Sequence, residues 1–127
     1  MRDIKFRGKT ENNIWKYGSL LKDNPQKIYY IVDNEDGTGR KVLEKTIGQY
    51  TGLKDKNGIE IYEGDIVQAV FVDEEESKIK GVVVYVEAAA CYMVIANNGD
   101  EWELGYLDEI EKIGNKWDNP ELLEKGE

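Results

Sequence analysis

One stretch near the middle of the chain, residues 46–67, limits the fold more than any other part of the sequence. It places three turn signals and two short strand patterns within about twenty residues. Asn57-Gly58 supplies the two positive-φ positions that a type I′ hairpin turn requires, and Gly64 allows the chain to bend sharply into the strand that follows. The sequence therefore predicts the corner of a small barrel, with structural turn roles for Gly48, Gly52, Asp55, Asn57, Gly58, Gly64 and Asp65.

Short strand patterns fill most of the remaining chain, at spacings of about ten residues and with turn glycines between them. Apolar and polar residues alternate from Ile4 to Arg7 and from Ile14 to Leu21, which predicts an N-terminal β-hairpin. The runs from Ile66 to Leu104 predict a meander. This pattern is typical of an all-β barrel or sandwich rather than an alternating α/β fold. We therefore predict a single mainly β domain over 1–127, with an N-terminal β part at about 1–47, a barrel-like part at about 48–115 and a tail with a short helix at 116–127.

Two segments fit more than one type of secondary structure. Residues 40–47 fit a strand or a short helical turn, and we favour the strand. Residues 107–113 carry apolar side chains at a helical spacing, yet a strand over 109–113 also fits. Asn119-Pro120 is a good helix start, because Asn caps helix N-termini and Pro suits the first helical position. A short terminal helix over 121–125 is predicted there.

The formal net charge of −9, from 26 acidic and 17 basic residues, limits the partners of the chain. A duplex-binding surface neutralises phosphates with Lys and Arg, so we predict that duplex DNA is not the partner. The chain has no histidine and one cysteine, Cys91, which excludes an internal disulfide and removes the commonest general base. No apolar run reaches the roughly 18 residues of a membrane span, and the N-terminus does not resemble a signal peptide. We therefore expect a cytoplasmic protein that does not bind membranes.

Four carboxylates near the predicted barrel corner form the most concentrated acidic group beside apolar strands: Asp55, Glu60, Glu63 and Asp65. Paired carboxylates can act as general acid and base or hold a magnesium ion. Asp55 and Asp65 also fit turn capping, in which the side chain accepts hydrogen bonds from nearby backbone N–H groups, and we favour that interpretation. Cys91 has no histidine to activate it. We therefore predict no catalytic, cofactor-binding or metal-binding residues and no enzyme activity.

The aromatic residues indicate an alternative function. Aromatic rings on the curved sheets of small barrels stack on single-stranded bases, and Tyr50, Tyr62 and Trp102 are the candidates for that role. Strand periodicity favours packing in the core or at its rim for most of the aromatic side chains. Binding of single-stranded nucleic acid is therefore the alternative hypothesis and not the leading one.

Several motifs along the chain resemble those of the YopX family: MRDIKFRG at 1–8, GQYTGLKDKNG at 48–58, IYEGDIV at 61–67, GN at 114–115 and NPELL at 119–123. The central motifs are specific, whereas the N-terminal one would not be so by itself. The resemblance implies a protein encoded by a phage, prophage or mobile element and located in the host bacterial cell. It also implies a mostly β fold with a small SH3-like barrel region. It implies no activity and no functional residues.

The leading hypothesis for function is a non-catalytic interaction module that binds a host or phage protein through its acidic surface or a sheet edge. In one version of this hypothesis, clustered carboxylates imitate DNA phosphates and block a basic DNA-binding protein. Pairing of two copies through an exposed strand is left open by the sequence. The sequence also leaves open whether the acidic residues form one patch.

Overall fold

The computed structural model describes residues 3–71 and 74–123, except for the side chains of 74–77. The described chain is mainly β, which confirms the predicted fold class. It divides into two compact units, Met1–Gly52 and Leu53–Glu127. The helical residues of the described part form three single 3₁₀ turns: Glu44–Thr46, Leu104–Tyr106 and Pro120–Leu123. None of these turns is long or apolar enough to cross a membrane.

The first unit is built on one antiparallel sheet with the strand order β4-β3-β2-β1-β5. Strand β1 pairs with β2 from Phe6↔Gly18 to Lys9↔Trp15, and the chain continues through β3 and β4 as a meander. After β4 the chain returns to β1, where the Leu43 N–H donates to the Lys9 carbonyl at 2.8 Å. The strands are β1 Phe6–Lys9, β2 Trp15–Asp23, β3 Ile28–Val32, β4 Gly39–Val42 and β5 Gly48–Lys54, the last two residues of β5 belonging to the second unit.

The ambiguous segment 40–47 contains both structures that the sequence allowed. It begins within β4, Gly39–Val42, and ends with the 3₁₀ turn Glu44–Thr46. Thr46 explains the change, because its Oγ1 donates to the Leu43 carbonyl at 2.7 Å and accepts from the Lys9 N–H at 2.8 Å. A hydrogen bond from a side chain to the carbonyl three residues earlier favours a turn over the extended conformation.

The second unit is built on one antiparallel sheet with the order β10-β9-β8-β7-β11. The predicted meander corresponds to β7 through β10, which are neighbours in chain order. Seven buried apolar residues form a core cluster: Ile61, Val67, Ala69, Val83, Val94, Leu104 and Leu107. In the part of the chain that the structure describes, β10 and β11 are edges and no closed barrel is found. The strands of this sheet are β7 Asp65–Phe71, β8 Glu74–Val86, β9 Cys91–Ile95, β10 Glu101–Glu103 and β11 Leu107–Asn115, and strand β6, Glu60–Tyr62, is not part of it.

The second ambiguous segment, 107–113, is a strand. Strand β11 pairs with β7, but the register shifts between Asp108 and Glu111 and again between Lys112 and Gly114. The extra residues of such bulges change the side-chain period, so Leu107, Ile110 and Ile113 have a helical spacing within an extended chain.

Beyond β11, the predicted C-terminal helix is described only in part. The expected terminal helix is a single 3₁₀ turn, Pro120–Leu123, and its remainder lies outside the described residues. Residues 72–73, between β7 and β8, also lie outside the described residues.

Candidate functional site

The Asp55 carboxylate joins its own turn to a distant strand. Its Oδ1 accepts the N–H groups of Asn57 at 2.8 Å and Ile59 at 3.0 Å, which are local bonds. Its Oδ2 accepts the N–H of Lys112, a residue of β11 that follows 57 positions later, at 3.0 Å. The side chain is buried. Burial by itself raises the pKa of Asp55, but the three backbone hydrogen bonds and the Lys112 charge outweigh burial and lower this pKa below its usual range.

The turn that follows Asp55 differs from the predicted type I′ turn. Gly58 has a φ of +82°, whereas Asn57 is not among the residues with positive φ. The Gly58 N–H donates to the Asp55 carbonyl and the Asp55 N–H to the Ile59 carbonyl. This is the pattern of a three-residue loop whose glycine alone is left-handed. Because the Asp55 carboxylate already binds the N–H of Asn57, the turn is set by this side chain and needs no left-handed Asn.

Asp65 follows the second tight turn and is also buried. Its Oδ2 accepts the N–H of Tyr62 at 2.7 Å and lies 3.4 Å from the Nζ of Lys112. Gly64 has a φ of +92°, and a Cβ built on it would lie 2.3 Å from the Trp117 ring. Both the backbone conformation and the neighbouring indole therefore require glycine at this position.

Lys112 is the point at which the two turns meet. Its backbone N–H is bound by Asp55 and its ammonium group by Asp65. Both carboxylates hold secondary structure together, and neither is presented to solvent. Within residues 3–71 and 74–123, no three acidic or cysteine side chains converge in a way that could hold a metal ion. The arrangement therefore has a structural role, because both carboxylates attach a turn to β11.

The remaining predicted turn glycines lie in β5. Gly48 is buried and pairs with Arg7 of β1. Gly52 has a φ of +89° and is exposed. Cys91 is half-buried, and its Sγ lies 3.5 Å from the Sδ of Met93.

The three aromatic residues proposed for base stacking do not form an exposed platform. Tyr50 is 6% exposed and Tyr62 is 1% exposed, so their ring faces are covered. Trp102 is half-buried, packs against the core of the second unit and meets Phe71 edge to face at 5.9 Å between ring centroids. Because stacking requires a free ring face, burial rules out this role for Tyr50 and Tyr62 in the folded chain.

The charge of the chain is divided unequally between the two units, which the net charge conceals. Residues 1–52 contain ten Lys and Arg against seven Asp and Glu, a net charge of +3. Residues 53–127 contain seven against nineteen, a net charge of −12. Counting charges separately for the two halves of the sequence would have revealed the division.

One exposed part of the second unit is particularly acidic, and we call residues 100–109 the acidic edge. It consists of the edge strand β10, the 3₁₀ turn after it and the start of β11. Tyr106, at its centre, is 70% exposed and is the most exposed of the large apolar side chains described. Five exposed carboxylates accompany it: Asp100, Glu101, Glu103, Asp108 and Glu109.

A cavity of about 490 Å³ lies beside the bulge of β11 in the second unit. Lys56 and Glu111 line it and form an ion pair at 3.9 Å across it. Glu109, also in the lining, has a φ of +50°. The first unit has two smaller depressions, of about 410 and about 70 Å³.

Comparison with known proteins relates the chain to one family. The model of a family described as YopX protein matches residues 5–124. The fold is similar to that of protein EF1440 from Enterococcus faecalis, with 24% identity and a TM-score of 0.56 over 98% of this chain and 100% of that one. It is also similar to that of protein YopX from Bacillus subtilis, with 19% identity and a TM-score of 0.58 over 100% of both chains. At these identities the two solved structures show the fold alone. No curated protein matches the chain.

Proposed function

This chain belongs to the YopX family, and on that premise we propose that it is a non-catalytic interaction module whose acidic second unit binds a basic surface on a protein partner. The observation that carries the proposal is the concentration of acidic charge in residues 53–127, together with its exposure along the acidic edge. The expected partner is a host or phage protein in the bacterial cytoplasm. We also propose that this unit is related to SH3-like barrels, as the family resemblance implies.

The acidic edge has three features that are typical of a protein-binding surface: an exposed tyrosine, a group of carboxylates and a strand edge. Exposed tyrosines are enriched at the energetic centres of protein interfaces, because the ring provides a large contact area with little loss of conformational freedom. The carboxylates around Tyr106 would attract a basic partner over a distance and align it during encounter. Strand β10 adds an edge with backbone groups that can pair with an extended segment.

Neutral variants of the acidic edge test this proposal. The chain is immobilised, bacterial lysate is passed over it, and bound proteins are compared quantitatively between wild type and the double variant Glu101→Gln/Glu103→Gln. The matched control is Asp3→Asn/Glu35→Gln, which removes two exposed carboxylates from the first unit. We expect a protein that binds wild type and control but is lost with the acidic-edge variant.

The protein recovered in this way is then measured directly. Purified partner should bind wild type, bind Tyr106→Ser at least about tenfold more weakly because a central aromatic anchor is lost, and dissociate as salt is raised. Partners that bind all variants equally, or affinity that does not depend on salt, would show that the acidic edge is not the binding surface. The DNA-mimic version adds that duplex DNA should compete with the chain for the partner.

A further inference from the structure

The groove of about 410 Å³ in the first unit is rich in cations, although the chain as a whole is acidic. The return of the chain after β4 creates it. The Leu43 N–H binds the Lys9 carbonyl, and Val42 lies where a side chain on Gly8 would be. This brings β4 next to the turn between β1 and β2. The lining residues are Thr10, Glu11, Asn12, Ile14, Lys16, Arg40 and Lys41.

The three cations of the groove are not neutralised by ion pairs. Among the described residues, no carboxylate lies within salt-bridge distance of Lys16, Arg40 or Lys41. The guanidinium of Arg40 donates to the neighbouring Gly39 carbonyl at 3.4 Å, a long hydrogen bond. Asp36 is close enough for the Arg40 charge to contribute to its lowered pKa, after the larger effect of hydrogen bonds from Thr38. The lining carries three cations and one carboxylate, that of Glu11, a net charge of +2, so an anion bound there would be attracted.

The other lining residues add hydrogen-bond donors and an apolar wall. The Thr10 Oγ1 accepts the Ile14 N–H at 3.2 Å, which leaves the hydroxyl proton available for a ligand. Asn12 is exposed at the turn and carries two amide N–H donors. Ile14 is 51% exposed and presents an apolar surface beside these groups. The groove therefore suits a ligand that combines a strongly charged anion with a flat or apolar portion.

We propose that this groove binds a phosphate-bearing ligand of nucleotide size. A phosphate group carries up to two negative charges and several acceptor oxygens, which match three cations and neutral donors better than a single carboxylate does. A free nucleotide and the backbone of a single-stranded nucleic acid share this chemistry. The proposal is independent of the acidic edge, since it concerns the other unit and the opposite charge.

The test follows backbone amide signals of the ¹⁵N-labelled full chain by nuclear magnetic resonance during titration at low salt. Three probes are added separately: inorganic phosphate, adenosine triphosphate and a short single-stranded oligothymidylate. We expect shifts at Thr10, Lys16 and Arg40. The double variant Arg40→Gln/Lys41→Gln should bind at least about tenfold more weakly, because two charged donors to phosphate are lost.

Two further variants distinguish the groove from the general charge of the unit. Lys45→Gln removes an exposed lysine of the first unit that does not line the groove, and it should leave the affinity within about twofold. Glu11→Gln removes the one carboxylate in the lining, and it should tighten binding by about two- to fivefold. For the oligonucleotide, the slope of log K against log salt should be about −2 for three cations and about −0.7 in the double variant, which keeps Lys16.

The probes also identify the source of the phosphate. Binding of adenosine triphosphate without tighter binding of the oligonucleotide would support the proposal with a free nucleotide as ligand. Tighter binding of the oligonucleotide would support it with a nucleic-acid strand. Shifts outside the groove, or equal losses in Lys45→Gln and Arg40→Gln/Lys41→Gln, would overturn it. Absence of binding at low salt would do the same.

Discussion

Replacement of Asp55 by Asn should separate the local and the long-range roles of this carboxylate. The amide keeps one oxygen, which can still accept the N–H groups of Asn57 and Ile59. The other oxygen becomes an NH₂ group, which meets the N–H of Lys112 donor to donor. The turn should therefore persist while its attachment to β11 is lost.

The magnitude follows from the bonds that change. A hydrogen bond to a charged group contributes about 1.5–3 kcal/mol, and a buried donor without an acceptor carries a penalty of similar size. The two local bonds weaken as well, because the oxygen that accepts them loses its charge. We expect Asp55→Asn to lower the free energy of unfolding by about 3 kcal/mol. Asp55→Ala, which removes all three bonds, should lower it further.

The effect of pH gives an independent check. The pKa of Asp55 is lowered in the folded chain, so its contribution to stability is present above the unfolded pKa and is lost as pH falls through the folded pKa. Wild type should therefore lose stability as the pH falls below the ordinary aspartate pKa of 3.8. Asp55→Asn should start from a lower stability at neutral pH and lose less over the same range.

Urea unfolding followed by tryptophan fluorescence and circular dichroism measures both effects. The matched control is Asp33→Asn, because Asp33 Oδ1 also binds two local N–H groups, those of Glu35 and Asp36, but in an exposed loop. That variant should change stability by less than about 0.5 kcal/mol. Equal losses in Asp55→Asn and Asp33→Asn, or an unchanged acid dependence in Asp55→Asn, would refute the role assigned to the bond with Lys112.

Gly64→Val and Lys112→Met test the turn at Asp65, and Gly58→Ala is the control for the first of them. Gly64→Val should destabilise the fold by at least about 3 kcal/mol, because it adds backbone strain to a clash with Trp117. Gly58→Ala, also at positive φ but with open space around it, should cost only about 1–2 kcal/mol in the same urea unfolding. Lys112→Met should cost about 3–5 kcal/mol, since it leaves the buried Asp65 carboxylate without its ammonium partner. The loss should persist at high salt, and a loss that salt abolishes would indicate a solvent-exposed pair instead.

Much of the local structure could be predicted from the sequence because its causes lie within a few residues. The mainly β class follows from short strand patterns between turn glycines. Asp55 and Asp65 accept bonds from backbone groups two to four positions away, as the Asx pattern indicates. Even there, the prediction of a type I′ turn at Asn57 was wrong. The Asp55 carboxylate, which marks the turn in the sequence, also determines its geometry.

The remaining features depend on which strands become neighbours, and no local pattern specifies that. The sequence alone predicted the positions of the turns at Asp55 and Asp65, the strand-rich class and the family resemblance. Only the tertiary structure placed Lys112 of β11 against both aspartates, covered Tyr50 and Tyr62, and gathered Lys16, Arg40 and Lys41 around one groove. A hydrogen bond within a turn can be predicted from about five consecutive residues. A hydrogen bond to a residue 57 positions away depends on the packing of the whole unit.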